Sequence, residues 1–145
     1  MGTYEDLYDR LRNDSEALQE AVRDAVSIDR TNLSEECFRQ SSVHMTWGYM
    51  SALAQAEAAS LEFEANEKIL PRLRLSAKVG GTNGKVTDQA AKDMAASSPE
   101  YQEAYEAYLV AQARADLLKK VEYSLIDKGE MLKILTYRER NERQQ

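Results

Sequence analysis

The sequence is poor in the residues that build most chemical sites. It holds one Cys and one His in 145 residues. One Cys excludes an intrachain disulfide, a zinc ribbon and Cys-pair redox chemistry; one His excludes a His-rich metal site and a two-His proton relay. Only two Pro and six Gly interrupt the chain, the profile of a folded, helix-rich protein. No apolar run approaches the ~18 residues of a membrane-spanning helix, so no membrane partner is expected. The opening Met1-Gly2-Thr3-Tyr4-Glu5-Asp6 lacks the layout of a secretory signal, and Asp6 stands where a myristoylation motif needs Ser or Thr. The expected compartment is a reducing cytoplasm.

Catalytic and nucleotide-binding patterns are missing too. The segment Gly80-Gly81-Thr82-Asn83-Gly84-Lys85-Val86 has the wrong spacing for a phosphate loop, and Val86 replaces the metal-binding hydroxyl. Cys37 and His44 lie two turns apart on a helical seam, where core packing explains them better than nucleophilic chemistry does. Carboxylates such as Glu62, Glu64, Glu67, Glu103 and Glu106 read as solvated helix faces. No catalytic residue, metal or cofactor is predicted, and the chain reads as a non-enzyme.

What is present is helical periodicity, pointing to an all-α protein of the helical hairpin or coiled-coil type. Residues 1–145 read as a single helical domain. Tyr4, Leu7, Tyr8 and Leu11 share one stripe. Residues 15–26 form a short helix with Ser15 as N-cap and Leu18, Val22 and Val26 every fourth residue. Thr31 or Asn32 caps a long helix running to about 78, with Glu35 and Glu36 in its first turn. Its seam, Leu33, Cys37, Gln40, His44, Trp47, Ser51, Ala54, Ala58, Leu61, Ala65, alternates four and three as heptads do. The small residues from 51 to 65 predict a close helix–helix approach. Pro71 predicts a kink or interruption near Arg72.

Residues 79–86 read as a glycine-rich loop, followed by a short helix capped by Thr87. Ser98 and Pro99 start a last helix reaching about 138. Its seam is Ala104, Tyr108, Ala111, Ala115, Leu118, Leu125, Leu132 and Leu135, interrupted by Glu122 and Gly129, with Val121 and Ile126 compensating. Two helices of ~40 residues would each be ~60 Å long, against a radius of gyration of ~15 Å for a compact chain of this size. They must fold back on each other or pack in an oligomer. The long seams favour an oligomer joined through Tyr108, Ala111, Ala115, Leu118, Leu125, Leu132 and Leu135.

The net charge of −6 is unevenly spread. Residues 1–67 carry −9, residues 68–92 carry +5, residues 93–132 carry −4 and residues 133–145 carry +2. The central island comprises Lys68, Arg72, Arg74, Lys78, Lys85 and Lys92 against Asp88 alone. Any polyanion must bind there. A cationic helix end favoured by the helix dipole is the alternative explanation. Tyrosine is abundant, and Tyr101, Tyr105 and Tyr108 follow one helix face. They suit either base stacking or an amphipathic helix interface.

The chain resembles the UvsY recombination mediators of T-even-type bacteriophages. Leu18-Gln19-Glu20-Ala21-Val22 matches the family's opening Leu-Gln-Glu-x-[LV], and Ile28-Asp29-Arg30-Thr31-Asn32-Leu33 matches its Ile-Asp-x-Thr-x-Leu. Glu36 and Trp47 follow at the family's spacing. After a two-residue insertion, Glu64-Ala65-x-x-Lys68-Ile69-x-x-Arg72-x-Arg74 matches Glu-Ala-x-x-Lys-[VI]-x-x-Lys-x-Arg. The likeness holds in near register over residues 15–92 and is one of element order beyond them. It implies a helical protein assembling into a ring, as a hexamer or heptamer, through its C-terminal helices. It implies binding to single-stranded DNA and loading of a RecA-like recombinase onto strands coated by single-strand binding protein, in the cytoplasm of an infected bacterium. Arg72 and Arg74 fall on the family's DNA-contacting pair, inside the island that the charge distribution marks. Two other readings fit the residues: a coiled-coil scaffold or adaptor that never touches nucleic acid, and an acidic inhibitor of a host nucleic-acid enzyme.

Overall fold

A computed structural model describes residues 4–80 and 86–145 of the chain. Among the described residues there is no strand. Helix α1 (Tyr4–Arg12) turns its buried Tyr8 and Leu11 inward. Helix α2 spans Ser15–Val26, and its N-cap is Asp14 rather than Ser15: the Asp14 carboxylate accepts the Ala17 N–H at 3.0 Å. A carboxylate at this position both satisfies an orphan donor and faces the positive end of the helix. Asp29 starts the next segment, a single 3-10 turn over Arg30–Asn32. Its carboxylate accepts from the Thr31 N–H and hydroxyl at 3.0 and 2.5 Å, and these bonds hold its pKa below the ordinary range. Asn32 acts as expected, accepting the Glu35 N–H at 3.4 Å at the start of α3 (Leu33–Phe63).

The long helix does run on to 79, but in three parts. Beyond α3 come a π-helical stretch, Glu64–Ile69, and α4, Leu70–Val79. Pro71 explains the stretch. It has no N–H to give the Glu67 carbonyl, and its ring would collide with that carbonyl in an α-turn. The wider turn before it relieves the collision, with the Leu70 N–H reaching back five residues to the Ala65 carbonyl. The interruption thus precedes Pro71 instead of falling at Arg72. One inserted residue turns every later side chain by about 100° relative to an unbroken helix.

Helix α5 (Asp88–Ala96) is capped as expected, with Thr87 Oγ1 accepting the Ala90 N–H at 3.1 Å. Helix α6 starts at Pro99 and continues to Gln144, six residues past its expected end.

Packing divides the chain into two compact units, and the division cuts α3 and α6 rather than falling in the glycine-rich segment. The first unit comprises Met1–Leu53 and Arg114–Gln145. Here α3 and α6 run antiparallel: Gln40 Nε2 donates to the Leu125 carbonyl at 2.7 Å, and Cys37 Sγ lies 3.4 Å from Thr136 Oγ1. Trp47, Met50, Leu118, Val121, Leu125 and Leu132 fill its core. Buried among them is a charge: Lys128 donates to the Ala25 carbonyl and pairs with Glu36, each at 2.9 Å. The second unit, Ala54–Ala113, has a different interior. Its fully covered hydrophobic positions among the described residues are Ala54, Ala58, Ala65, Ala91, Ala95 and Ala111, with no larger side chain. Small side chains let helix backbones approach closely, as the sequence predicts for 51–65.

Two seam expectations need correction. Cys37 is exposed, because continuous coverage of α3 begins only at Trp47. On α6 the buried line shifts by one residue after Leu118: Val121 compensates for Glu122 as expected, whereas Ile126 is exposed and Lys128 is buried in place of position 129. Two successive steps of three residues produce that shift. Moreover, Ala111, Ala115, Leu118, Leu125 and Leu132 are buried within one chain, with Tyr108 and Leu135 half-buried. The chain's own helices use the seam expected to join copies, so a contact between copies requires other side chains.

Candidate nucleic-acid interface

The cationic island lies within the second unit and is carried by the π stretch, α4 and α5. Helices α4 and α5 pack on each other, with Ala91 and Ala95 of α5 buried and Lys92 exposed between them in sequence. On α4, Arg74 and Lys78 are four residues apart and share a face. Lys78 donates to the Asp88 carboxylate at the first position of α5. The Asp88 pKa is held below the ordinary carboxylate range, chiefly by that hydrogen bond and charge, with Arg74 and Lys92 adding to it. Lys78 is thus the cation in contact with this exposed carboxylate, and Arg74 and Lys92 add only their field to it.

The remaining described cations sit differently. Arg72 points to α6 and pairs with Glu100, both about half exposed at 56% and 51%. Lys68 pairs with Glu64 at 3.3 Å and stands 5.8 Å from the centre of the Phe63 ring. Arg72 and Lys68 thus serve other neighbours than Lys78 does, and the five described residues of the predicted island do not form one cluster. Lys85 lies outside the described residues, as does most of the glycine-rich segment around it. Exposed pairs of this kind contribute little to stability.

Sequence reasoning missed Lys128 as a structural cation. The signal was present: carrying a 4-3 spacing backwards from Leu135 through Leu132 places Lys128, Leu125 and Val121 on the seam.

Among the described residues no cluster of three His, Cys, Asp or Glu has the geometry for a metal ion. No described helix is long and apolar enough to cross a membrane. Compared with known protein families, characterised proteins and solved structures, the chain matches none.

Proposed function

We propose that this chain binds single-stranded DNA through the cations of α4 and α5 and acts, like the UvsY mediators it resembles, as a non-enzymatic recombination mediator. The observation that carries the reading is the placement of Arg72, Arg74, Lys78 and Lys92 on α4 and α5, two helices packed on each other, in a protein of net charge −6. A positive site on a negative body confines a polyanion to one surface. One island neutralises few phosphates, so useful affinity requires several copies acting together. The exposed Tyr123, Ile126, Ile134 and Tyr137 of α6 support assembly through that outer face of the helix. A ring of copies would present a cationic track from which a strand coated by single-strand binding protein is handed to a RecA-like recombinase.

The joint replacement Arg72→Ala with Arg74→Ala tests the reading. Affinity for a single-stranded oligonucleotide should fall more than tenfold at low salt, and helicity and solution mass should not change. The salt slope, roughly −0.7 per neutralised phosphate, should shrink with it. Unchanged affinity would overturn the assignment. The same exposed apolar side chains favour a second reading, an assembly protein that never meets nucleic acid. Absence of any binding by the wild-type chain selects it.

A further inference from the structure

We infer that Tyr105, braced by Tyr101, is a stacking surface for the bases of a single strand whose phosphates the neighbouring cations hold; this rests on the DNA-binding reading above. The geometry begins at Arg72. Its partner Glu100 is the residue before Tyr101, so the tyrosine ladder of α6 starts beside an island arginine. The Tyr101 hydroxyl donates to Asn66 Oδ1 at 2.8 Å, which fixes this ring against the π stretch. Burial, with a smaller contribution from Tyr105, raises the Tyr101 pKa, so the phenol stays neutral. Tyr105 lies next along the ladder, its ring centre 5.7 Å from that of Tyr101 at 23° and 5.6 Å from that of Tyr108 at 56°.

The first contact is stacked and the second tilted, both at separations aromatic pairs favour. Tyr101 and Tyr108 are half-buried, and Tyr105 is the exposed member at 37%. A ring ordered by its neighbours loses little freedom when a base lies on it. A second ring repeats the pairing in the same unit: Phe63 is exposed and has the Lys68 ammonium above it. Cations interleaved with exposed rings are what sequence-tolerant single-strand binding uses, the cations following the backbone and the rings taking the bases.

The test compares oligothymidylate with an abasic backbone of equal length, which has the same phosphates and no bases. Anisotropy titrations use the full chain, Tyr105→Phe and Tyr105→Ala, with circular dichroism confirming unchanged helicity. The wild-type chain and Tyr105→Phe should prefer the strand with bases. Tyr105→Ala should lose about tenfold in affinity for it and bind both strands alike. Equal wild-type affinity for the two strands, or undiminished binding by Tyr105→Ala, overturns the stacking role and leaves the phosphate site standing. Failure of the wild-type chain to bind either strand overturns both.

Discussion

The two units use similar chemistry in opposite ways. In the first, wide side chains such as Trp47, Met50 and Leu118 fill the core, and a lysine is drawn inside. The Lys128 and Glu36 side chains are 6% and 19% exposed. In the second, among the described residues, the covered hydrophobic positions are alanines and no charged side chain is buried. Lys78 and Asp88 there are 54% and 74% exposed. A cation taken out of water is committed to its partner, because no solvent compensates for losing it. A cation left in water exchanges partners readily. The comparison separates lysines that hold the fold from those available to a ligand, and a net-charge count cannot do this.

Lys128→Ala should produce the largest break in that comparison. It leaves the Glu36 carboxylate and the Ala25 carbonyl without their shared donor, inside a packed junction of α2, α3 and α6. The expected loss is about 3 kcal/mol, read as a lower denaturant midpoint. Lys128→Met combined with Glu36→Gln should recover part of it, because the uncompensated charge is then gone. DNA affinity measured well below the midpoint should be unaffected, since this lysine is buried.

Much of the fold was legible because periodicity and caps are local. The stripe of Tyr4, Leu7, Tyr8 and Leu11, the cap at Thr87 and the start at Pro99 all appear where the spacing places them. The misses have a common origin in choices between neighbouring residues. Asp14 and Ser15 both suit an N-cap, and the longer carboxylate reached the Ala17 N–H. Ile126 and Lys128 both lie beside the seam, and the choice of the lysine depends on the Glu36 and Ala25 acceptors packed opposite. For the site, the sequence showed which residues are cationic. It could not show the π stretch ahead of Pro71, or that Arg72 turns to Glu100 of α6 while Lys78 turns to Asp88 of α5.

A smaller effect probes the alanine interior of the second unit. Ala58 is 2% exposed, so a larger side chain there has nowhere to go. Ala58→Leu should cost about 1–3 kcal/mol by forcing the surrounding helices apart. Its mark should be faster amide exchange in α5 and in the start of α6, with the first unit's core amides unchanged. Equal loss of protection in both units would show that they unfold as one.

The smallest effect concerns the exposed contact between α4 and α5. Because Lys78 holds the Asp88 pKa below the ordinary value of 3.8, the contact stabilises the folded chain above that value. It is lost as pH falls through the lowered folded pKa, where the carboxylate takes up a proton. Asp88→Asn should therefore differ slightly from the wild-type chain near neutral pH, with faster amide exchange in α5. The two should converge once the wild-type carboxyl is protonated. Added salt should narrow the difference at neutral pH, as screening does for exposed charges. The same variant frees Lys78 and removes a negative charge near Arg74 and Lys92, so on the proposed function affinity for single-stranded DNA should rise a few-fold while stability falls. Opposite signs in the two measurements are the signature of a cation cluster held for a ligand. If affinity and stability fell together, Asp88 would be orienting the cations rather than competing for them.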